Sequence, residues 1–426
     1  MKAQDLSVAL KYFADQNIGL TGTYLEQWFI DRAVATDDLA PARKRLEVEL
    51  RKGGERGKYL FIGDRGAGKS TELNQLARDL ADKFLVVRFS AVRSTGRGHN
   101  LKHTDLLLAI VIEVNRQCIE QNWLPTPVLN KPKSWGAALK KWWQERIAGI
   151  PVGGSGWQAN ADLGTILGEL QLSMQRTPLT RELMIEQVES RTNEYIQKLN
   201  DIARQAEATS QKSLLVIVED IDKVSDQAAT DIFLQYTQML LAPDIGMIYT
   251  FPKALCYLEN YGEISRRFPN TFVLPNFVVA YAKNNHSRQI PSGFRAVEQL
   301  ILQRIEKHLI DPDALKEVVL NSSGVPVWVV RIMKDAIANA VALGKQKVEL
   351  SDVKAATTIV QRDLLRQLED NDLNTLQERH KDNTPTKGDK SQTRHLMYIG
   401  ALIEYENGTQ WCDAHRALIP ILKRRP

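Results

Sequence analysis

The sequence predicts an α/β fold, and three observations lead to it. Short runs rich in apolar and β-branched residues recur at Tyr59–Ile62, Phe84–Ser90, Ser213–Val218, Gly246–Thr250 and Thr271–Leu274, each about the length of a buried strand. Amphipathic helical patterns separate them, as in a parallel sheet whose connections cross over its faces. A glycine-rich loop joins the first of these strands directly to the helix that follows it.

A chain of 426 residues, 43% hydrophobic and 25% charged, can bury at least one large core, and its length suggests more than one domain. The expected division is an N-terminal helical segment over 1–40, an α/β core over 41–280 with a helical insert at about 92–210, a helical lid over 281–365 and a last domain over 366–426. No apolar run approaches the roughly 20 residues that cross a bilayer. The N-terminal MKAQDLSVALKYFADQ has acidic residues where a signal peptide has an apolar stretch, so the cytoplasm is the expected compartment, with no membrane partner. Cys118, Cys256 and Cys412 lie far apart, which argues against a disulfide framework or a zinc site. A net charge of +5 permits contact with nucleic acid without requiring it.

Tyr24, Trp28 and Phe29 form an aromatic amphipathic pattern, and Asp31-Arg32 leads into a helix over Pro41–Lys52. The most informative stretch follows, YLFIGDRGAGKS from Tyr59 to Ser70: an apolar strand, then Gly63, Gly66 and Gly68, then Lys69 and Ser70 at the start of an amphipathic helix. Glycines at this spacing let the backbone curl around a polyphosphate, with consecutive N–H groups and the helix N-terminus facing the oxygens. Lys69 is placed to reach the terminal phosphates and the Ser70 hydroxyl to ligate Mg²⁺.

The strand from Ser213 ends in carboxylates, in the segment SLLVIVEDID. An acid at such a strand end holds the metal shell, and the next polarises the attacking water. Here Glu219 stands at the metal position, one methylene longer than the usual Asp, and Asp220 is short at the base position. Slow hydrolysis is the expectation. Thr250 closes the next strand as a candidate sensor of the phosphate, and Arg266 and Arg267 end a helix from which an arginine can reach a neighbouring subunit.

GDRGAGKS, LLVIVEDID, IYTFP and ISRRF, in that order, resemble the Walker A, Walker B, sensor 1 and arginine-finger elements of the AAA+ ATPases. The resemblance covers about residues 25–365 and lies nearest to the origin-recognition and STAND-like signalling branches. It implies the P-loop NTPase αβα sandwich with a parallel five-stranded sheet, a helical lid and a C-terminal winged-helix domain, with ATP and Mg²⁺ at the carboxyl ends of the strands. By that resemblance Gly63, Asp64, Arg65, Gly66, Ala67, Gly68, Lys69, Ser70 and Thr71 hold the nucleotide, and Ser70, Glu219 and Asp220 hold the metal. Lys69, Glu219, Asp220, Thr250, Arg266 and Arg267 carry the chemistry, with Arg267 preferred as the finger. In the lid, the family's sensor 2 arginine sits in a Gly-x-x-Arg pattern; after Gly324 that place is held by Val327, and Arg331, one helical turn further on, is a substitute.

The crossover before Ser213 is far longer than one helix needs. It contains helical patterns over Thr104–Gln117 and from Thr180 to about Ala208, and a basic aromatic segment with Trp135, Lys140, Lys141, Trp142, Trp143 and Arg146. Those residues suit base stacking, a protein interface or a helical core. In the lid, Ser351 or Asp352 caps the last helix. Beyond it, the polar stretch 369–394 reads as a short helix and a loop, and Asn407-Gly408 reads as a tight hairpin turn with both residues at positive φ. Two helices and a hairpin are the layout of a winged helix; its acidic Glu404, Glu406 and Asp413 speak against phosphate contact and leave protein contact open.

The leading expectation is an ATP-dependent assembly switch, forming a homo-oligomer or joining a partner ATPase subunit. An ATP-dependent DNA-binding adaptor or loader acting through the winged helix is one alternative. A STAND-like signalling ATPase of a bacterial defence system, working through an effector protein, is another.

Overall fold

Strands with apolar side chains on both faces need cover on both sides, and the chain supplies it with helices. The structure, a computed structural model, describes residues 2–14, 19–32, 40–98, 100–124, 140–142, 144–145, 163–176, 178–282, 290–384 and 389–425. Its central sheet comprises β1 (Lys58–Gly63), β2 (Phe84–Ser90), β3 (Ser213–Glu219), β4 (Gly246–Pro252) and β5 (Asn270–Val273), all parallel, in the order β2-β3-β4-β1-β5. Strand alternation sorts the side chains: Tyr59 and Phe61 face the helices Ala42–Arg51 and Lys69–Asp79, whereas Leu60 and Ile62 face His103–Glu120 and Thr192–Ser210. This is the P-loop NTPase αβα sandwich expected from the motifs. All five strands run the same way, so their carboxyl ends, with Gly63, Glu219 and Pro252, line one edge of the sheet.

The described part of the long crossover contains the helices Ala91–Thr95, His103–Glu120, Leu163–Arg176, Pro178–Ser190 and Thr192–Ser210. The single helix expected from Thr180 to Ala208 is two, broken at Arg191, whose backbone leaves the helical region. Trp142 is buried, its indole N–H bonded to Glu194 and its ring set edge-on to Tyr195 at 5.1 Å. It is a core residue. Trp135, Trp143 and Arg146 lie outside the described residues, and the side chain of Lys141 is exposed beside Glu145.

After β5 come the lid helices Ser292–Leu302, Pro312–Asn321, Pro326–Ala342 and Leu350–Leu365. The last is capped by Glu349 rather than by Ser351 or Asp352; the Asp352 carboxylate returns to accept from the Glu349 amide at 2.9 Å, giving a reciprocal cap. The C-terminal domain has helices Asp370–Asp382 and Lys390–Tyr398, then β6 (Leu402–Glu406) antiparallel to β7 (Gln410–Ala414). The hairpin is present, but its turn differs from the expectation. Glu406 pairs with Gln410 across a loop in which only Gly408 has positive φ, at 78°, and Asn407 instead accepts from the Trp411 indole at 2.8 Å.

One apolar core runs through the N-terminal helix Leu6–Tyr12, the lid and the C-terminal domain, joining Phe13, Val329, Leu376, Leu396 and Leu402. The N-terminus is added to the lid by a backbone bridge from Ala3 to Ile305. No helix among the described residues is long and apolar enough to cross a membrane.

Gly324, before the third lid helix, packs closely on the backbone of the segment that follows β5. Its φ is +71°, and a Cβ there would lie 1.8 Å from the carbonyl oxygen of Phe277, whose amide already bonds to Gly324 at 3.1 Å. Gly324→Ala is expected to lower stability by about 2–3 kcal/mol, read as a lower urea midpoint with an unchanged slope.

Candidate functional site

The loop after β1 is shaped by its glycines. Gly66 and Gly68 have φ of +85° and +97°, which L side chains resist. Gly66 has a second constraint, since a Cβ there would lie 2.2 Å from Val327 Cγ1, and the Val327 amide donates to the Gly66 carbonyl at 3.2 Å. The first turn of the lid helix therefore rests on the loop. At the place where the family pattern has its arginine, Val327 serves as a packing residue against the loop.

Lys69 begins the next helix with its side chain buried and turned back into the loop. Its ammonium donates to the carbonyls of Gly63 and Asp64, both at 2.8 Å, and pairs with Asp222 Oδ2 at 2.9 Å. Burial pushes the Asp222 carboxyl up, but the Lys69 charge and hydrogen bond outweigh it and hold the pKa below the ordinary value. Asp222 stands on the short turn Ile221–Lys223 that follows β3, and sequence reading passed over it because the expected pair of acids was already filled.

Glu219, the last residue of β3, lies at the expected metal position. The Ser70 side chain lies close enough to lower its pKa, and it is paired with Arg88 from β2. Burial raises its pKa despite Arg88. Asp220 takes a left-handed conformation, φ 67°, and turns to β2, accepting from Ser90 Oγ at 2.6 Å and pairing with Lys223 at 2.7 Å. The carboxylates facing the loop are thus Glu219 and Asp222.

The remaining expected residues are distributed around this centre. The Thr71 hydroxyl accepts from the Leu20 amide at 3.2 Å, so the N-terminal approach segment lies along the start of the loop helix. Arg65 is exposed and Ala67 is buried. Arg331 pairs with Asp363 and stacks over Trp328 at 5.3 Å. Arg267 donates to the Leu234 carbonyl at 3.0 Å and to Thr237 at 3.1 Å, whereas Arg266 is exposed and has no hydrogen-bond partner among the described residues. Arg32 was missed: it is buried, bonded to the carbonyls of Ala67 and Pro275, paired with Glu72 at 3.3 Å and set over the Phe277 ring at 4.2 Å. A lone arginine in a polar loop carries no periodic signal, so only the fold reveals it.

The residues fit Mg·ATP on their own chemistry. Two left-handed glycines leave room where a Cβ would intrude, a buried ammonium stands beside them, and a hydroxyl and a carboxylate meet on the metal side. This is the architecture of a phosphate-binding loop at the carboxyl edge of a parallel sheet.

No family model and no curated protein matches the chain. Solved structures do. The ORC1 protein of Aeropyrum pernix, in complex with DNA, is 14% identical, with 92% of this chain and 94% of that chain covered at a TM-score of 0.43. A Walker-type ATPase of Pyrococcus abyssi is 12% identical over 90% of this chain and 95% of that one, TM-score 0.43. The RuvB Holliday junction branch migration motor of Thermotoga maritima is 12% identical over 90% and 94%, TM-score 0.37.

Because the Asp222 pKa is lowered on folding, its ionised form contributes stability above the unfolded value near 3.8 and loses it as pH falls through the lower native value. Asp222→Asn is expected to cost about 2–4 kcal/mol at pH 7, since it leaves Lys69 buried without its counter-charge. It should also flatten the decline in stability below about pH 4, measured by denaturant titrations from pH 7 to pH 2.

Proposed function

We propose that this chain is an ATP-dependent assembly switch that binds Mg·ATP at the loop Gly63–Ser70 and hydrolyses it slowly. The observation that carries the reading is the convergence of Lys69, Ser70, Glu219, Asp222 and Thr250 at the carboxyl ends of β1, β3 and β4. The backbone amides between Gly66 and Ser70 would hold the phosphates, with Lys69 as their counter-charge. Ser70 and Glu219 would hold the magnesium, which when bound offsets phosphate charge and polarises the oxygens.

Within this reading Arg88 must yield Glu219, since an arginine and a cation cannot both be served by one carboxylate side. That competition, together with the displaced Asp220, supports slow turnover. Asp222 is the better candidate to orient water, because it faces Lys69 and Thr250 while Asp220 faces Ser90. Arg266 is the better candidate for a finger acting in a neighbouring subunit, because Arg267 is tied to its own chain. The expected partner is therefore a second copy or a related ATPase subunit. A DNA-binding role through the C-terminal domain gains nothing from β6, most of whose residues are buried; it would fall to exposed residues such as Lys390, Lys423 and Arg424.

The test combines binding, hydrolysis and mass. Lys69→Ala is expected to weaken binding of a fluorescent ATP analogue by at least about 100-fold. Asp222→Asn should slow phosphate release by about 100-fold and Asp220→Asn by no more than about 3-fold. Arg266→Ala, but not Arg267→Ala, should abolish stimulation of hydrolysis on assembly, followed with particle mass. Full affinity in the Lys69 variant would refute the reading.

A further inference from the structure

The C-terminal hairpin reaches the phosphate loop itself. Asn276, just past β5, donates from Nδ2 to the Asp64 carboxylate and to the Glu404 carbonyl, the latter at 3.0 Å, so one buried amide bridges the second residue of the loop and β6. The Glu404 carboxylate pairs with the Lys253 ammonium at 2.6 Å and accepts from the Tyr257 hydroxyl. Asp64 is 8% exposed, Asn276 3%, Glu404 2% and Lys253 4%. The helix Lys390–Tyr398 adds a second attachment at the Walker B side, where the Tyr398 hydroxyl donates to the Val224 carbonyl at 2.6 Å and Arg394 pairs with Asp226 at 3.2 Å.

Two buried acids, Asp64 and Glu404, share the buried ammonium of Lys253; burial lowers the Lys253 pKa, and Glu404 and Asp64 more than reverse it. Burial likewise raises Asp64, with Lys253 and, more weakly, Lys69 opposing. A polyphosphate in the loop adds negative charge beside these two acids and draws Lys69 away from Asp64. It also competes for Lys69, whose ammonium fixes the carbonyls of Gly63 and Asp64 and so the peptide that carries the Asp64 side chain. Both effects act against the docked hairpin.

We propose that occupation of the loop by a nucleoside triphosphate loosens the docking of the C-terminal domain on the ATPase core, with Asn276 as the link between Asp64 and β6. The inference rests on the phosphate-loop reading above and adds to it a direct route from the loop to the last domain. The differential contact lies in one buried bridge and one buried ion pair, so the coupling is reciprocal: whatever loosens the hairpin tightens nucleotide binding by the same factor.

The experiment is amide hydrogen exchange on the full chain, over segments 253–261 and 394–406, with and without Mg²⁺ and a non-hydrolysable ATP analogue whose binding is measured separately by fluorescence. Exchange in both segments is expected to rise about 5-fold or more on binding. Asn276→Ala, and as a second variant Glu404→Gln, should exchange at the raised rate before analogue is added, respond little to it and bind it more tightly by a similar factor. Analogue binding without a change in these segments, or an Asn276→Ala chain that keeps the full response, would overturn the proposal. Absence of binding to the unmodified chain would overturn the phosphate-loop reading and this inference together.

Discussion

A buried ammonium must be surrounded by acceptors, and the loop is built around that requirement at Lys69. Its neighbours are the carbonyls of Gly63 and Asp64 and the carboxylate of Asp222. The two carbonyls fix the curl of the loop, and Asp222 fixes the distance between β1 and the turn after β3. Without the carboxylate, the desolvation of Lys69 would be uncompensated; without Lys69, Asp222 would be the orphan. The pair therefore holds the site together before any ligand is considered. It also explains why the third acid of EDID, and not the second, faces the glycines.

The strands and the loop were legible because their signals are local. A buried strand needs only a short apolar run, and β2 was bounded correctly from Phe84 to Ser90. The order of motifs along the chain then gave the sandwich. What was not legible came from contacts distant in sequence. Asp220 was assigned by its place after Glu219, but a left-handed backbone at that residue sends its side chain to Ser90. Glu404 read as a wing acid that phosphates would repel, and it lies in a buried cluster with Lys253, about 150 residues earlier in the chain. Arg32 likewise joins the loop and the segment after β5 through the carbonyls of Ala67 and Pro275, and carbonyls leave no trace in a sequence. Trp142, in the basic aromatic segment of the insert, takes its structural role from Glu194 and Tyr195, again outside its own segment.

Four parts of the chain meet at the eight residues from Gly63 to Ser70. The N-terminal segment contributes Arg32 on the Ala67 carbonyl, the lid contributes Val327 on Gly66, the turn after β3 contributes Asp222 on Lys69, and β6 reaches Asp64 through Asn276. Each attachment uses a different atom of the loop, so none displaces another. A loop held from four sides cannot rearrange at one point alone, because tightly packed interiors transmit displacement instead of absorbing it. Substitutions at these attachments share a common element, and their effects on stability should accordingly fail to add. That is the physical basis of the proposed route from Lys69 to β6, more than 300 residues later in the chain.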